Sequence, residues 1–223
     1  MNNMDESIEK VKKELVIAAH RAYERGIQTG NGGNLSARVP GKDLMIIKPS
    51  GGSFIDCDED SWIVADFYGN KVEGNGKPSS EAPLHGKIYQ LCPWANSIVH
   101  GHAVYSNTIA LVENEIPVQA FHALTKLDDF IQVLDVKNDG VMEEDMPLIE
   151  EYFKDHPDAK AFILRRHGVV AYGKDPKTAE HNAELVEETA KLAWAFELYG
   201  KATGKVSEPL DEQWFVDFKN KMN

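Results

Sequence analysis

At 223 residues, with 42% hydrophobic and 27% charged side chains, the chain has the make-up of a globular protein with room for one sizeable core. A net charge of −12 disfavours a nucleic-acid partner, no apolar run approaches the roughly 18 residues of a membrane span, and the charged start (Asp5, Glu6, Glu9, Lys10) lacks a secretory apolar region. Two cysteines, Cys57 and Cys92, are too few for a disulfide framework and fit a reducing cytoplasm.

Met4 to Arg25 reads as an amphipathic helix, with Val11, Leu15, Val16, Ala19 and Ala22 at helical spacing, stopped by Gly26 and the glycines from Gly30 to Gly33. Leu35 to Val39 and Leu44 to Lys48 read as strands joined at Pro40-Gly41; Trp62 to Phe67 and Lys71 to Glu73 flank a second turn. Ser79 and Ser80 open a helix that reaches Leu91. Ser97 to His102 is a buried strand, Ser106 to Val112 a short helix, and Phe130 to Leu134 a strand inside the poorly patterned stretch from Val118 to Asp135. Met146 to Phe153 is helical, Ala161 to Leu164 and Val169 to Tyr172 are strands, and Thr178 to Leu198 is the longest helix. An amphipathic stretch from Asp211 to Met222 closes the chain. Without an internal repeat or a long linker, residues 1–223 are expected to form one domain.

Three histidines stand out. His100-Gly101-His102 ends an apolar strand, and alternate strand residues share a face, so both rings can converge on one point. Taken alone, an H-x-H pair is as readily an ordinary hydrogen-bonded pair. His167, before Gly168 at the end of another apolar run, completes the three-ligand pattern of a catalytic zinc site with an open position. Glu81 shares a helix face with His85 and Tyr89. It is either a favourable charge at a helix start or, facing the metal, a ligand or an acid/base. His85 suits a packed or ligand-supporting place better than a fourth ligand position.

In so acidic a chain an anion needs bare amides, hydroxyls or a lone cation. Thr29 to Ser36 is a glycine-rich loop before a strand, Pro49-Ser50-Gly51-Gly52 a second small-residue turn, and Ser79-Ser80 a third, with Lys48 as the cation. Each alone reads as an ordinary turn or cap; together they can hold a phosphate.

Five segments taken in order, GNGGNLS (Gly30 to Ser36), IKPSG (Ile47 to Gly51), KPSSE (Lys77 to Glu81), IVHGHAVY (Ile98 to Tyr105) and RHGVVAYG (Arg166 to Gly173), resemble the class II aldolase/adducin family. The resemblance implies an α/β (α+β-like) fold, a three-layer α/β/α domain around a mixed, largely antiparallel sheet, and a homotetramer with active sites between subunits. It implies His100, His102 and His167 as metal ligands, joined in the resting state by Glu81, which also shuttles a proton. It assigns Asn34, Ser50, Gly51, Ser79 and Ser80 to a sugar phosphate. Zinc is the expected ion, and manganese, cobalt or iron fit the same donors.

The implied reaction is retro-aldol cleavage of a ketose phosphate to dihydroxyacetone phosphate and an aldehyde. The family's 4-epimerases carry aspartate where this chain has Glu81, which favours aldolase, although Lys48 and the stretch from Tyr172 to Trp194 look epimerase-like. Val118 to Asp135 matches no subgroup. There His122 is the expected catalytic group in place of a tyrosine that aldolases take from a neighbouring subunit. Epimerase, dehydratase or decarboxylase chemistry on the same metal stays open. A non-catalytic adducin-like module is disfavoured, because such relatives lose the ligands kept here.

Overall fold

The computed structural model describes residues 3–137, 141, 143–205, 217 and 221. The amphipathic stretch expected over Asp211 to Met222 lies, apart from two isolated positions, outside the described residues.

The first helix, α1 (Asn3–Glu24), buries Leu15, Ala18, Ala19 and Ala22 along one side and ends at Gly26, whose φ of 75° a side chain would strain. Strands β1 (Asn34–Arg38), β2 (Leu44–Ile47), β3 (Ile63–Asp66) and β4 (Lys71–Glu73) follow as an antiparallel meander. Helix α2 (Ala82–Leu91), strand β5 (Ser97–Gly101) and helix α3 (Val104–Ala110) come next. Strand β6 (Glu115–Pro117) ends just before the stretch that lacked a pattern, which holds the single turn α4 (Phe121–Leu124) and the expected strand β7 (Phe130–Leu134). Helix α5 (Met146–Asp155), strands β8 (Ala161–Leu164) and β9 (Gly168–Gly173) and helix α6 (Pro176–Thr203) complete it.

The nine strands form one sheet in the order β4-β3-β2-β1-β5-β9-β8-β7-β6, antiparallel except for β7 beside β8. The mixed, largely antiparallel sheet expected from the sequence is therefore present. One core lies under α1, α3 and α6, where Leu15, Val99, Ala183 and Val186 meet. The other lies under α2 and α5, built on Ile88, Ile149, Phe162 and Tyr172. Helices thus cover both faces, the three-layer arrangement. Strands β5, β8 and β9 are buried along their whole length, which explains their continuous apolar runs. Each fully buried Ile or Phe there contributes about 1.5–3 kcal/mol.

Helix α6 begins earlier and ends later than its apolar spacing predicts. Asp175 caps it by accepting from the Thr178 amide at 2.7 Å, Pro176 follows, and Gly204 (φ 67°) closes the far end. Among the described residues no helix is long and apolar enough to cross a membrane.

Candidate metal centre and its cleft

The sheet register places the first members of the site. Asn34 on β1 is directly opposite His100 on β5, and Val170 on β9 opposes His100 from the other side. His102 lies just beyond β5 instead of in it, and His167 is the last residue of the β8–β9 turn instead of a strand end. That turn bends through Arg166, whose φ of 62° lies in the left-handed region.

Gly168, which follows His167, has a packing role. A Cβ there would stand 2.3 Å from the Gly101 carbonyl oxygen and 3.0 Å from a carbon of each ring of His100 and His102. The missing side chain is what lets β9 close against both imidazoles. Gly33, at φ 59°, similarly brings the glycine-rich loop against the His100 carbonyl.

The three rings meet. Their ligating atoms lie within 4.8 Å of one another, and the Nε2 atoms of His100 and His102 are 3.2 Å apart. Glu81, at the N-cap of α2, aims its carboxylate into the same point. Its Oε2 is 3.2 Å from His100 Nε2, and its Oε1 is 3.6 Å from His167 Nε2. Asn34 Nδ2 donates to that same Oε2 at 2.7 Å. Ser79 Oγ, 3.3 Å away, accepts from the Glu81 amide, so Ser79 shapes the turn before α2 and does not cap the helix itself.

The chemistry of these donors fits a cation. His100 Nδ1 lies 3.0 Å from the Val169 carbonyl, which can only accept, so Nδ1 carries the proton and Nε2 presents a lone pair. Burial pushes the pKa of His100 down to about 4, with Glu81 pulling the other way, so the ring is neutral near pH 7. Burial also pushes the Glu81 carboxyl up, but His100, His167 and the Asn34 amide outweigh it and hold the group below its ordinary range. A lone pair and a carboxylate oxygen therefore face each other at 3.2 Å, and Glu81 Oε1 is buried without a hydrogen-bond partner. Acceptors turned on one another in a buried place are stabilised when a positive ion lies between them.

Behind the centre, Ser36 Oγ bonds His85 Nδ1 and the Tyr89 hydroxyl, each at 2.7 Å. His85 is fully buried and, with its pKa pushed down to about 3 by burial, stays neutral. It supports the core under α2, in keeping with the sequence reading, and is not among the grouped ligand histidines.

In front lies a cleft of about 250 Å³. Asn31, Gly32, Gly33, Asn34, Lys48, Ser50, Gly51, Ser79 and Ser80 line it together with Glu81, His102, His167 and Val141. All three small-residue turns thus open onto the metal ligands. Lys48 is almost wholly buried, and its ammonium donates to the Pro49 and Gly52 carbonyls, so it fastens the Ser50-Gly51 turn from behind. Burial lowers its pKa.

His122 is not brought to this cleft. It stands exposed on α4, its Nε2 2.8 Å from Glu188 Oε1 on α6. Two supporting residues escaped the sequence reading. Buried Gln28 accepts from the His102 amide at 3.0 Å, and Asn107 on α3 donates to the His167 carbonyl at 3.0 Å. Neither sits in a recognisable pattern, because each acts across more than fifty residues of chain.

A family profile, the Class II Aldolase and Adducin N-terminal domain, matches residues 13–194. The chain belongs to this family. Among relatives, it is 34% identical over 186 residues to the 3-oxo-tetronate 4-phosphate decarboxylase of Haemophilus influenzae, covering 81% of this chain and 86% of that one. It is 28% identical over 216 residues to the L-ribulose-5-phosphate 4-epimerase UlaF of Salmonella paratyphi C, covering 94% and 95%. Among solved structures of the class II aldolase fold, an L-fuculose 1-phosphate aldolase superposes with a TM-score of 0.81 at 26% identity, covering 96% of each chain. These family members carry an aldolase, an epimerase and a decarboxylase name, so membership makes an enzyme of sugar-phosphate metabolism the natural frame and leaves the reaction to the site.

Proposed function

We propose that the protein is a metal-dependent sugar-phosphate aldolase, splitting a ketose phosphate into dihydroxyacetone phosphate and an aldehyde. The observation that carries this reading is the place of Glu81: its carboxylate lies between the three imidazoles and the small-residue turns, within 3.2 Å and 3.6 Å of His100 and His167. His100, His102 and His167 would hold the ion, with Glu81 as its resting partner; zinc suits the set, and manganese, cobalt or iron accept it. When bound, the ion supplies Lewis acidity at the substrate's carbonyl and hydroxyl oxygens.

The residues of the chain do the rest. Amides and hydroxyls of Asn34, Ser50, Gly51, Ser79 and Ser80, with Lys48 beneath, anchor the phosphate and so set the scissile bond in front of the ligands. As the C–C bond breaks, its electron pair stays with the phosphate-bearing half. Glu81, ionised at rest, takes up a proton from water and delivers it to the carbon left behind, while the base that receives the hydroxyl proton returns one to water, so that protons balance over the turnover. The hydroxyl of the departing aldehyde must lose its proton to another base. We assign this to His122 acting from a neighbouring subunit of a homotetramer. Exposed apolar residues on α3 and α6, Val104, Leu192, Trp194, Leu198 and Tyr199, support such an assembly. The free, buried Cys57 and Cys92 support a cytoplasmic setting.

A second reading, decarboxylation of a phosphorylated 3-oxo acid, is favoured by the 34% identity to the Haemophilus influenzae enzyme. It needs the same cleft and the same protonation by Glu81, with carbon dioxide leaving in place of the aldehyde. Incubation with a panel of ketose 1-phosphates, pentulose 5-phosphates and phosphorylated 3-oxo acids, with product identification, separates the readings. Release of dihydroxyacetone phosphate together with an aldehyde, from a ketose 1-phosphate, supports the aldolase; the same phosphate released with carbon dioxide from a 3-oxo acid does not. Carbon dioxide release, or inversion of a pentulose without cleavage, overturns it.

A further inference from the structure

Helix α3 starts two residues after His102, and the residue at its N-cap is Ala103, which has no side chain to offer the free amides of the first turn. Those amides are nevertheless satisfied. The backbone N–H groups of Tyr105 and Ser106 donate to Oε1 and Oε2 of Glu187 at 3.0 and 2.9 Å. They are the second and third residues of α3, the two donors that a serine or aspartate at the N-cap would take. Glu187 reaches them from α6, with its side chain only 3% exposed and Lys191 3.9 Å from Oε1.

The helix so capped ties together the two ligands of the centre that lie outside the strands. His102 follows the end of β5 and His167 sits in a turn, so neither is held by strand pairing of its own. The N-terminus of α3 continues from His102. Its Asn107 donates to the His167 carbonyl at 3.0 Å. At its C-terminal end, Arg165, two residues before His167, donates to the carbonyls of Ala110 and Glu113. Moving α3 would therefore shift both rings.

The geometry points to Glu187 as a positioning residue of the metal centre: by capping α3 from across the fold, it fixes where His102 and His167 present their ring nitrogens. This rests on the proposed metal centre and adds to it a residue that touches neither ion nor substrate. It also gives a reason for a carboxylate on a face of α6 where an apolar side chain would otherwise pack, since a buried carboxylate needs donors of this kind.

The test titrates metal-free protein with Co²⁺ and follows the ion's visible absorption, which reports ligand number and geometry as well as affinity. In Glu187→Gln, which offers one acceptor in place of two, the affinity is expected to fall roughly 10- to 100-fold, as for other residues that orient ligands, with an altered absorption spectrum. Ala103→Ser supplies the local cap. Combined with Glu187→Gln, it is expected to restore the parental spectrum and most of the affinity, and the folding should Glu187→Gln alone unfold. A folded Glu187→Gln protein with parental affinity and spectrum overturns the proposal. So does a folded double variant that binds as weakly as Glu187→Gln alone, since the carboxylate would then act otherwise than as a cap. If the parent itself takes up no Co²⁺, the metal reading fails, a result distinct from either.

Discussion

Asn34 and His100 face each other across β1 and β5 and reach the same oxygen of Glu81, the amide donating at 2.7 Å and the ring nitrogen standing at 3.2 Å. The amide holds Glu81 in place without neutralising it, which leaves the carboxylate able to take part in proton transfer. Glu81→Gln keeps the size and loses the charge and the proton chemistry. It is expected to retain the fold and most of the metal binding of the three imidazoles while turnover falls by about 10²-fold or more, the usual contribution of a positioned acid/base. Steady-state kinetics beside metal titration checks this, and a fully active variant would remove Glu81 from the mechanism.

Gly168→Ala tests the close approach of β9 to the rings. The new Cβ would lie 2.3 Å from a backbone carbonyl oxygen, which is unable to move without displacing β5. Overpacking of this kind costs about 1–3 kcal/mol, and here it also pushes His100 and His102 aside. Thermal unfolding and Co²⁺ titration should both show the loss. A variant with parental melting and affinity would mean that the strands are not so closely set.

Two buried neutral histidines give the metal-free protein a pH-dependent stability. An unfolded chain protonates histidine below about 6.5, whereas in the fold His100 resists until about 4 and His85 until about 3. Their folded values are depressed, so the unfolded state binds the extra protons, and stability is full above about 6.5 and lost as the pH falls. Glu81, also depressed, adds its loss only below its ordinary value of 4.5. Urea unfolding in the presence of a chelator should therefore weaken between pH 6.5 and 4.5. The slope approaches about 1.4 kcal/mol per pH unit for each histidine. Buried Glu180, with its carboxyl pushed up to about 8, opposes this over the same range, so the histidine share is read by difference: His85→Gln should change the slope by one such share, and a variant with the parent's slope would contradict the burial argument.

What could be read from the sequence divides along a physical line. The strands of the sheet centre, β5, β8 and β9, show as continuous apolar runs because both of their faces are covered. The glycine-rich loop, the small-residue turns and the three histidines were legible as local patterns; the fold groups the histidines and brings the loop, the turns, His102 and His167 to one cleft, with His100 buried behind it. Where control is non-local, the reading slipped. Helix α3 was expected from Ser106 and begins at Val104, because its cap comes from Glu187, more than eighty residues on. Strand β6, three residues ending in Pro117, and the single turn α4 are too short to show a period. The place of His122 was illegible for the same reason: nothing nearby says that α4 turns it toward Glu188 and away from the cleft.

His122 leads to a prediction about assembly. Its contact with Glu188 is exposed and contributes little, about 0–1 kcal/mol, so His122→Gln should melt and bind metal like the parent. Acting from a neighbouring subunit, it should still be needed for turnover. Inactive His122→Gln and inactive His100→Ala chains, unfolded and refolded together, should then form hybrids with sites that hold both histidines, and activity should return. A mixture no more active than its parents would contradict a site shared between subunits.

The account rests most heavily on the ion itself. Elemental analysis of the protein purified without added chelator, after brief exposure to Zn²⁺ and gel filtration, should find about one divalent ion per chain, and His100→Ala treated in the same way should carry almost none. Parent protein that emerges free of divalent metal, or a His100→Ala variant that retains a full equivalent, would contradict the assignment of His100, His102 and His167 as the centre of this site.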